Sequence, residues 1–161
     1  SVSQNDNCKI TLVKQYGDLP LVFCYANQLN QVFAHILNNA IDALSRCDRD
    51  NKTISITTYQ EDDYAVIRIA DNGPGVDLDA KHKIFDPFFT TKDVGEGTGL
   101  GLSISYQIVT ARHRGTLQCH SQPGEGCEIV ITIPIGQSLS EHSHTHRENT
   151  TENATLFPQP A

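Results

Sequence analysis

Two glycine clusters flank a phenylalanine-rich segment in residues 71–101. The first is Asp71-Asn72-Gly73-Pro74-Gly75-Val76 and the second is Gly95-Glu96-Gly97-Thr98-Gly99-Leu100-Gly101-Leu102. Between them runs Ile84-Phe85-Asp86-Pro87-Phe88-Phe89-Thr90-Thr91-Lys92. Glycine belongs where a backbone bends sharply or approaches a ligand closely. Alternating glycines that run into an apolar, helix-like stretch suit a phosphate cradle. Backbone N–H groups and the positive end of a helix would meet the anion there. Asp71 follows a strand-like run and could accept a hydrogen bond from an exocyclic amine such as that of adenine. Asp-Asn-Gly also initiates turns well, and both readings stand. Lys92 is placed either beside phosphates or simply in solvent.

Other glycine-rich readings fail on context. A dinucleotide-binding G-x-G-x-x-G should follow a strand, but here a loop precedes it. A P-loop needs Gly-Lys-Ser/Thr, and a protein-kinase loop needs a downstream Val-Ala-Ile-Lys strand. Neither is present.

These residues need elements to hold them. Leu29, Val32, Phe33, Ile36, Leu37, Ala40, Ile41 and Leu44 recur at helical spacing, with Asn27 as the expected cap. On the same helix His35, Asn39, Asp42 and Arg46 fall within about 60° of one another. That side is either a solvated face or, through the amide oxygen of Asn39, a magnesium ligand. Residues 9–14 and 20–24 read as strands around the Tyr16-Gly17-Asp18 turn. Residues 52–59 and 64–70 alternate as an antiparallel pair. Residues 74–97 form a long connection with at most a short helix near Leu78–Ile84, and such connections are usually functional. Helical spacing resumes over 98–112. Residues 116–120 and 127–133 close the domain as strands around Pro123-Gly124-Glu125-Gly126. From Gln137 the chain is polar and aperiodic, which predicts a disordered tail over 137–161 after one domain over 1–136. The tail's His142, His144 and His146 could hold a transition metal or simply be solvated.

The 161 residues suffice for one domain with a core. The net charge of −7 argues against a nucleic-acid surface. The five cysteines, Cys8, Cys24, Cys47, Cys119 and Cys127, include no CxxC pair and fit reduced thiols in a cytoplasmic setting. No membrane span or leader is expected, and glycosylation of the sequons at Asn51, Asn149 and Asn153 is not expected. The chain reads as a piece of a longer protein.

The ordered set is more specific than its parts. Asn39-Ala40 on a helix, Asp71 to Gly75, Phe85 to Phe89, then the second glycine cluster resembles the catalytic ATP-binding domain of two-component sensor histidine kinases. That domain shares a superfamily with DNA gyrase, heat-shock chaperone and mismatch-repair ATPases. The resemblance covers roughly residues 9–135, and its phenylalanine box and glycine spacing favour a histidine kinase. It implies a two-layer α/β sandwich of the Bergerat type, a mixed sheet with helices on one face. It implies ATP and Mg²⁺ as cofactors and transfer of the γ-phosphate to a histidine on a separate dimerisation domain. A response regulator would be engaged indirectly, and the parent would be a homodimer, compatible with a membrane anchor.

By resemblance, Asn39 would coordinate magnesium and Asp71 would read adenine, with Gly73 and Gly75 shaping the pocket. Residues 76–97 would form a lid anchored by Phe85 and Phe89. Gly97, Thr98, Gly99, Leu100, Gly101 and Lys92 would face the phosphates. His35, also a catalytic candidate, replaces the usual Asn of these kinases and the catalytic Glu of related ATPases. Asp42 stands where several members carry a basic phosphate contact, and Cys127 where a Ser or Thr hydroxyl is common. No His is followed by Glu or Asp, so the family's phosphoacceptor motif is not in this chain. The alternatives are a nucleotide-binding regulatory module without phosphotransfer, or an ATP hydrolase of the same superfamily.

Overall fold

The computed structural model describes residues 9–87, 89 and 101–136. In chain order the elements are β1 (Ile10–Tyr16), α1 (Ala26–Arg46), β2 (Lys52–Glu61), β3 (Tyr64–Asp71) and the short α2 (Leu78–Lys81). Then come α3 (Gly101–Gln107), running directly into a π-helical stretch Ile108–Arg112, and the strands β4 (Thr116–Gln122) and β5 (Gly126–Pro134). The five strands form one mixed sheet in the order β1-β2-β3-β5-β4. Only β1 and β2 run parallel; the other pairs are antiparallel. A parallel pair needs a long crossover, and α1 provides it.

The apolar stripe of α1 explains why the helices lie on the sheet. Leu29, Val32, Ile36, Ala40 and Leu44 are its buried residues. They meet Ile54, Ile69, Ile129, Ile131 and Ile133 from the sheet. Each fully buried Leu or Ile contributes about 1.5–3 kcal/mol, so this seam dominates the domain's stability. Strand alternation sends Leu117, Cys119 and Ser121 of β4 to the same side. On the opposite face Arg68 pairs with Glu128 at 2.7 Å. The architecture is the expected two-layer sandwich: a mixed sheet with helices on one face.

Three local expectations need correction. Residues 20–24 are not a strand. Gly17 donates its N–H to the Thr58 carbonyl at 2.7 Å, and the chain then leaves the sheet edge to cross toward α1. Leu21 and Phe23 are exposed along that crossing, so an apolar run there has no sheet partner. Asn27 is not the cap of α1 but lies inside it; the cap position is Tyr25, with no side-chain cap of its own. Instead the Tyr25 N–H is received by Nε2 of buried His113 at 3.0 Å. The helical segment ending at residue 112 is also not uniform. The carbonyl of Ile108 is bonded by His113 Nδ1 at 2.9 Å, and that of Tyr106 by the Thr110 hydroxyl at 2.7 Å. Side chains inserted into a carbonyl ladder distort it, and here the helix widens into a π-turn.

Candidate functional site

Asp71 is the last residue of β3, flanked in the sheet by Ile54 and Cys127. It shares its face with Ile69 and Ile67, so its carboxylate points into the layer between sheet and α1. The side chain accepts the Gly73 N–H at 2.9 Å. Burial pushes this carboxyl above the ordinary aspartate value, and the backbone N–H groups of Gly73 and Cys127 pull it partly back. An ionised carboxylate has about four acceptor positions, so acceptor capacity remains for a ligand. Asn72 is structural: its Oδ1 accepts the Thr53 N–H at 2.8 Å and its amide donates to the Asn51 carbonyl at 2.6 Å.

The first glycine cluster is forced by close approach. A Cβ on Gly73 would stand 2.8 Å from Asp71 Oδ1 and 3.6 Å from both Ala43 Cβ and Leu44 Cδ2 of α1. Gly75 has φ +74°, and a Cβ there would overlap the Gln122 carbonyl oxygen. The β4–β5 end is tied to this loop. Ser121 Oγ accepts the Val76 N–H at 2.7 Å and donates to the Gly126 carbonyl at 2.8 Å. Gly124 donates to the Pro74 carbonyl at 2.7 Å, and Arg49 donates to the Gly124 carbonyl at 2.8 Å.

The end of the second cluster reaches the same helix. A Cβ on Gly101 would lie 2.9 Å from His35 Nδ1. His35, Asn39 and Ala43 follow one another at i, i+4 on one row of α1. Gly101 approaches the row at His35 and Gly73 approaches it at Ala43, so half-buried Asn39 lies between the two glycine-bearing loops. The structure thus brings His35, Asn39, Asp71, Gly73, Gly75 and Gly101 around one region. Lys92, Gly97, Thr98, Gly99 and Leu100 lie outside the described residues, as do the tail's histidines. Among the described residues no group of three or more His, Cys, Asp or Glu is placed to hold a metal ion.

After Val76 the chain turns through α2 into a series of tight turns, with Lys83 N–H on the Ala80 carbonyl and Asp86 N–H on that of Lys83. Ile84 is buried there, and Phe85 and Phe89 pack against the core. The Phe85 ring also lies 5.3 Å from that of Tyr106 on α3. An open cavity of about 590 Å³ lies beside α2, lined by Asp77, Leu78, Lys83, Phe89 and Pro123 among others. It includes neither Asp71 nor Asn39.

Sequence reading missed two groups. Ser121 lies one residue past the strand expected over 116–120, and only continuing its alternation would have turned it inward. Cys119 had no signal of its own, yet its Sγ is 3.5 Å from that of Cys127.

The comparisons with known proteins agree with this fold. A family model described as "Histidine kinase-, DNA gyrase B-, and HSP90-like ATPase" matches residues 24–137. The chain is 38% identical over 124 residues to sporulation kinase E of Bacillus subtilis (strain 168), covering 77% of this chain and 16% of that protein. It is 45% identical over 108 residues to the signal transduction histidine-protein kinase AtoS of Escherichia coli (strain K12), covering 66% of this chain and 17% of that protein. It therefore spans less than a fifth of the length of these relatives. Among solved structures, the nucleotide-free catalytic domain of histidine kinase ThkA superposes with TM-score 0.67 at 31% identity, covering 78% of this chain and 79% of that one. Full-length ShkA in complex with AMPPNP superposes with TM-score 0.68 at 25% identity, covering 80% of this chain and 26% of that one. Matched over most of its length by the family model, and folded as histidine kinase catalytic domains are, the chain belongs to the histidine kinase-, DNA gyrase B- and HSP90-like ATPase family.

Proposed function

We propose that this domain binds ATP with Mg²⁺ and donates the γ-phosphate to a histidine on a separate dimerisation domain of a two-component sensor kinase. The observation that carries the reading is Asn39, held on α1 between the loop of Asp71 and the loop ending at Gly101. The residues fit the nucleotide. Asp71 presents a half-buried acceptor suited to an exocyclic amine, and a side chain at Gly73 or Gly75 would crowd the loop beside it. Asn39 offers a hard amide oxygen, and magnesium keeps several waters and binds few protein groups, so one protein ligand beside phosphates suits it. His35 replaces the family's usual residue and stands beside Gly101, where it bears on the same region.

When bound, ATP supplies the transferable phosphoryl group; the residues of this chain position it and offset its charge. Lys92, Gly97, Thr98, Gly99 and Leu100 complete the phosphate-facing part of this proposal. Residues 1–136 form the catalytic unit and 137–161 a separate tail. The phosphoacceptor domain lies elsewhere in a homodimeric, cytoplasm-facing parent, and a response regulator takes the phosphoryl group from it.

Calorimetry with an ATP analogue and Mg²⁺ tests the binding step. Replacing Asp71 with Ala removes a charged hydrogen bond of about 1.5–3 kcal/mol, so affinity falls roughly 10- to 150-fold. An unchanged dissociation constant in a folded D71A variant rules out the adenine role. Acid-labile label from [γ-³²P]ATP on a separately added dimerisation domain tests the transfer. Binding without transfer favours the regulatory-module reading.

A further inference from the structure

Behind the candidate adenine position lies a pair of thiols that the nucleotide reading does not use. Cys119 on β4 and Cys127 on β5 are diagonal neighbours, since Cys119 pairs with Ile129 and Cys127 with Ser121. Both face the helix layer, and their sulfurs are 3.5 Å apart. On its other side Cys127 is the direct cross-strand partner of Asp71. The same end of the two strands holds Ser121, which fixes both Val76 and Gly126.

We propose that Cys119 and Cys127 form a reversible disulfide with a peroxide oxidant, and that this disulfide lowers nucleotide affinity at Asp71. The consequence for affinity rests on the nucleotide reading; the thiol chemistry does not.

The step balances. One thiolate of the pair attacks one peroxide oxygen, the O–O bond breaks, and a sulfenic acid forms with release of hydroxide. The other cysteine, as thiolate, then attacks that sulfur, the S–S bond forms, and a second hydroxide leaves. The two thiol protons convert both hydroxides to water. Two thiols are oxidised by two electrons and hydrogen peroxide is reduced to two waters.

The contact between the sulfurs favours a thiolate in the pair, since the thiol of one can hydrogen-bond the sulfur of the other. It pulls Cys119 below the ordinary thiol value, with Lys81 adding to this against the opposing effect of burial. A thiolate is the form that attacks a peroxide, and the second thiol stands within reach to resolve the product.

Closing the bond must change the pocket. Sulfurs now 3.5 Å apart must approach to about 2.05 Å, which draws β5 at Cys127 toward β4 at Cys119. Asp71 takes a backbone N–H contact from Cys127, so the carboxylate loses its present seat. The coupling is reciprocal, so bound nucleotide should disfavour the disulfide at thiol–disulfide equilibrium.

The test treats the reduced domain with hydrogen peroxide, maps its disulfides by peptide mass spectrometry, and measures AMPPNP–Mg²⁺ affinity before and after. The expected result is a Cys119–Cys127 linkage reversed by dithiothreitol, with AMPPNP–Mg²⁺ raising the reduced fraction at equilibrium in a dithiothreitol redox buffer. Affinity should fall about tenfold, as for loss of one well-made hydrogen bond. Cys119→Ser should keep the same affinity with and without peroxide. Both thiols remaining free, a linkage to another cysteine, or a correct linkage with unchanged affinity would each overturn the proposal. If the reduced domain binds no AMPPNP, the nucleotide reading fails and the regulatory consequence fails with it; the peptide map still decides whether the pair is a site of oxidation.

Discussion

Asp71 is costly to the fold, and this separates its structural part from its proposed binding part. Its carboxyl is raised above the ordinary aspartate value of 3.8 by burial. As pH climbs from that value through the raised one, the unfolded chain has already lost its proton while the folded chain still holds it. Folding stability from this group is therefore greatest at low pH, falls across that window, and stays reduced at neutral pH. Asn keeps an acceptor oxygen for the Gly73 N–H but carries no charge. Denaturant titrations from about pH 3 to about pH 7 should show D71N gaining on the wild type as pH rises through and above the aspartate range. A stability difference that does not vary with pH would mean that burial of this charge is not felt. The glycines make a second comparison. Gly124 has φ +81° with open space around it, so Gly124→Ala costs about 1–2 kcal/mol from backbone conformation alone. Gly75 has a similar φ, but its new Cβ would also strike the Gln122 carbonyl. Gly75→Ala should be the more destabilising by urea titration; equal losses would show that the loop yields at no cost.

At the scale of elements, the N-terminus of α1 depends on a residue far along the chain. His113 is 2% exposed and accepts the Tyr25 N–H while its other nitrogen bonds the Ile108 carbonyl. It joins the start of the helix that bears Asn39 to the end of the π-turn following α3. His113→Phe keeps the ring but leaves the Tyr25 N–H without its acceptor. An orphaned donor costs about 1–3 kcal/mol, and the urea midpoint should fall accordingly. An unchanged midpoint would show that water takes over the cap. This cap was not legible, because Asn27 is an excellent cap residue by type and nothing local shows that the helix begins before it. The stripe of α1, in contrast, was legible because eight apolar positions repeat within one element. Residues 20–24 show the opposite case: an apolar run ending in Val-Phe-Cys reads as a strand, but a strand also needs a free neighbour. The outer edge of β1 is free, but β1 and β2 run parallel, so the chain after Gly17 must leave the sheet for the α1 crossover instead of turning back beside β1.

At the scale of the molecule, the long connection leaves the sheet beside Asp71 and returns at Gly101 beside His35. Its described part is attached to the core through Ile84, Phe85 and Phe89. A ligand held between Asp71 and Asn39 would touch both ends of it. Hydrogen exchange over residues 76–87 should slow when an ATP analogue and Mg²⁺ are added. Equal exchange at saturating ligand would remove the lid role from this segment.

The sequence by itself determined α1 and the five strands, though it added one over 20–24 that does not form, because periodicity and turn chemistry are written in neighbouring residues. It also placed Asp71 at a strand end and Asn39 on the polar side of α1. The tertiary structure decided which of these residues meet. The strand order places β5 between β3 and β4, so Cys127 lies beside Asp71 on one edge and within reach of Cys119 on the other. Strand neighbours and register follow from burying the whole helix-facing surface at once, since a one-residue slip would turn every side chain of a strand to the wrong face. That is a non-local condition, and no window of sequence contains it.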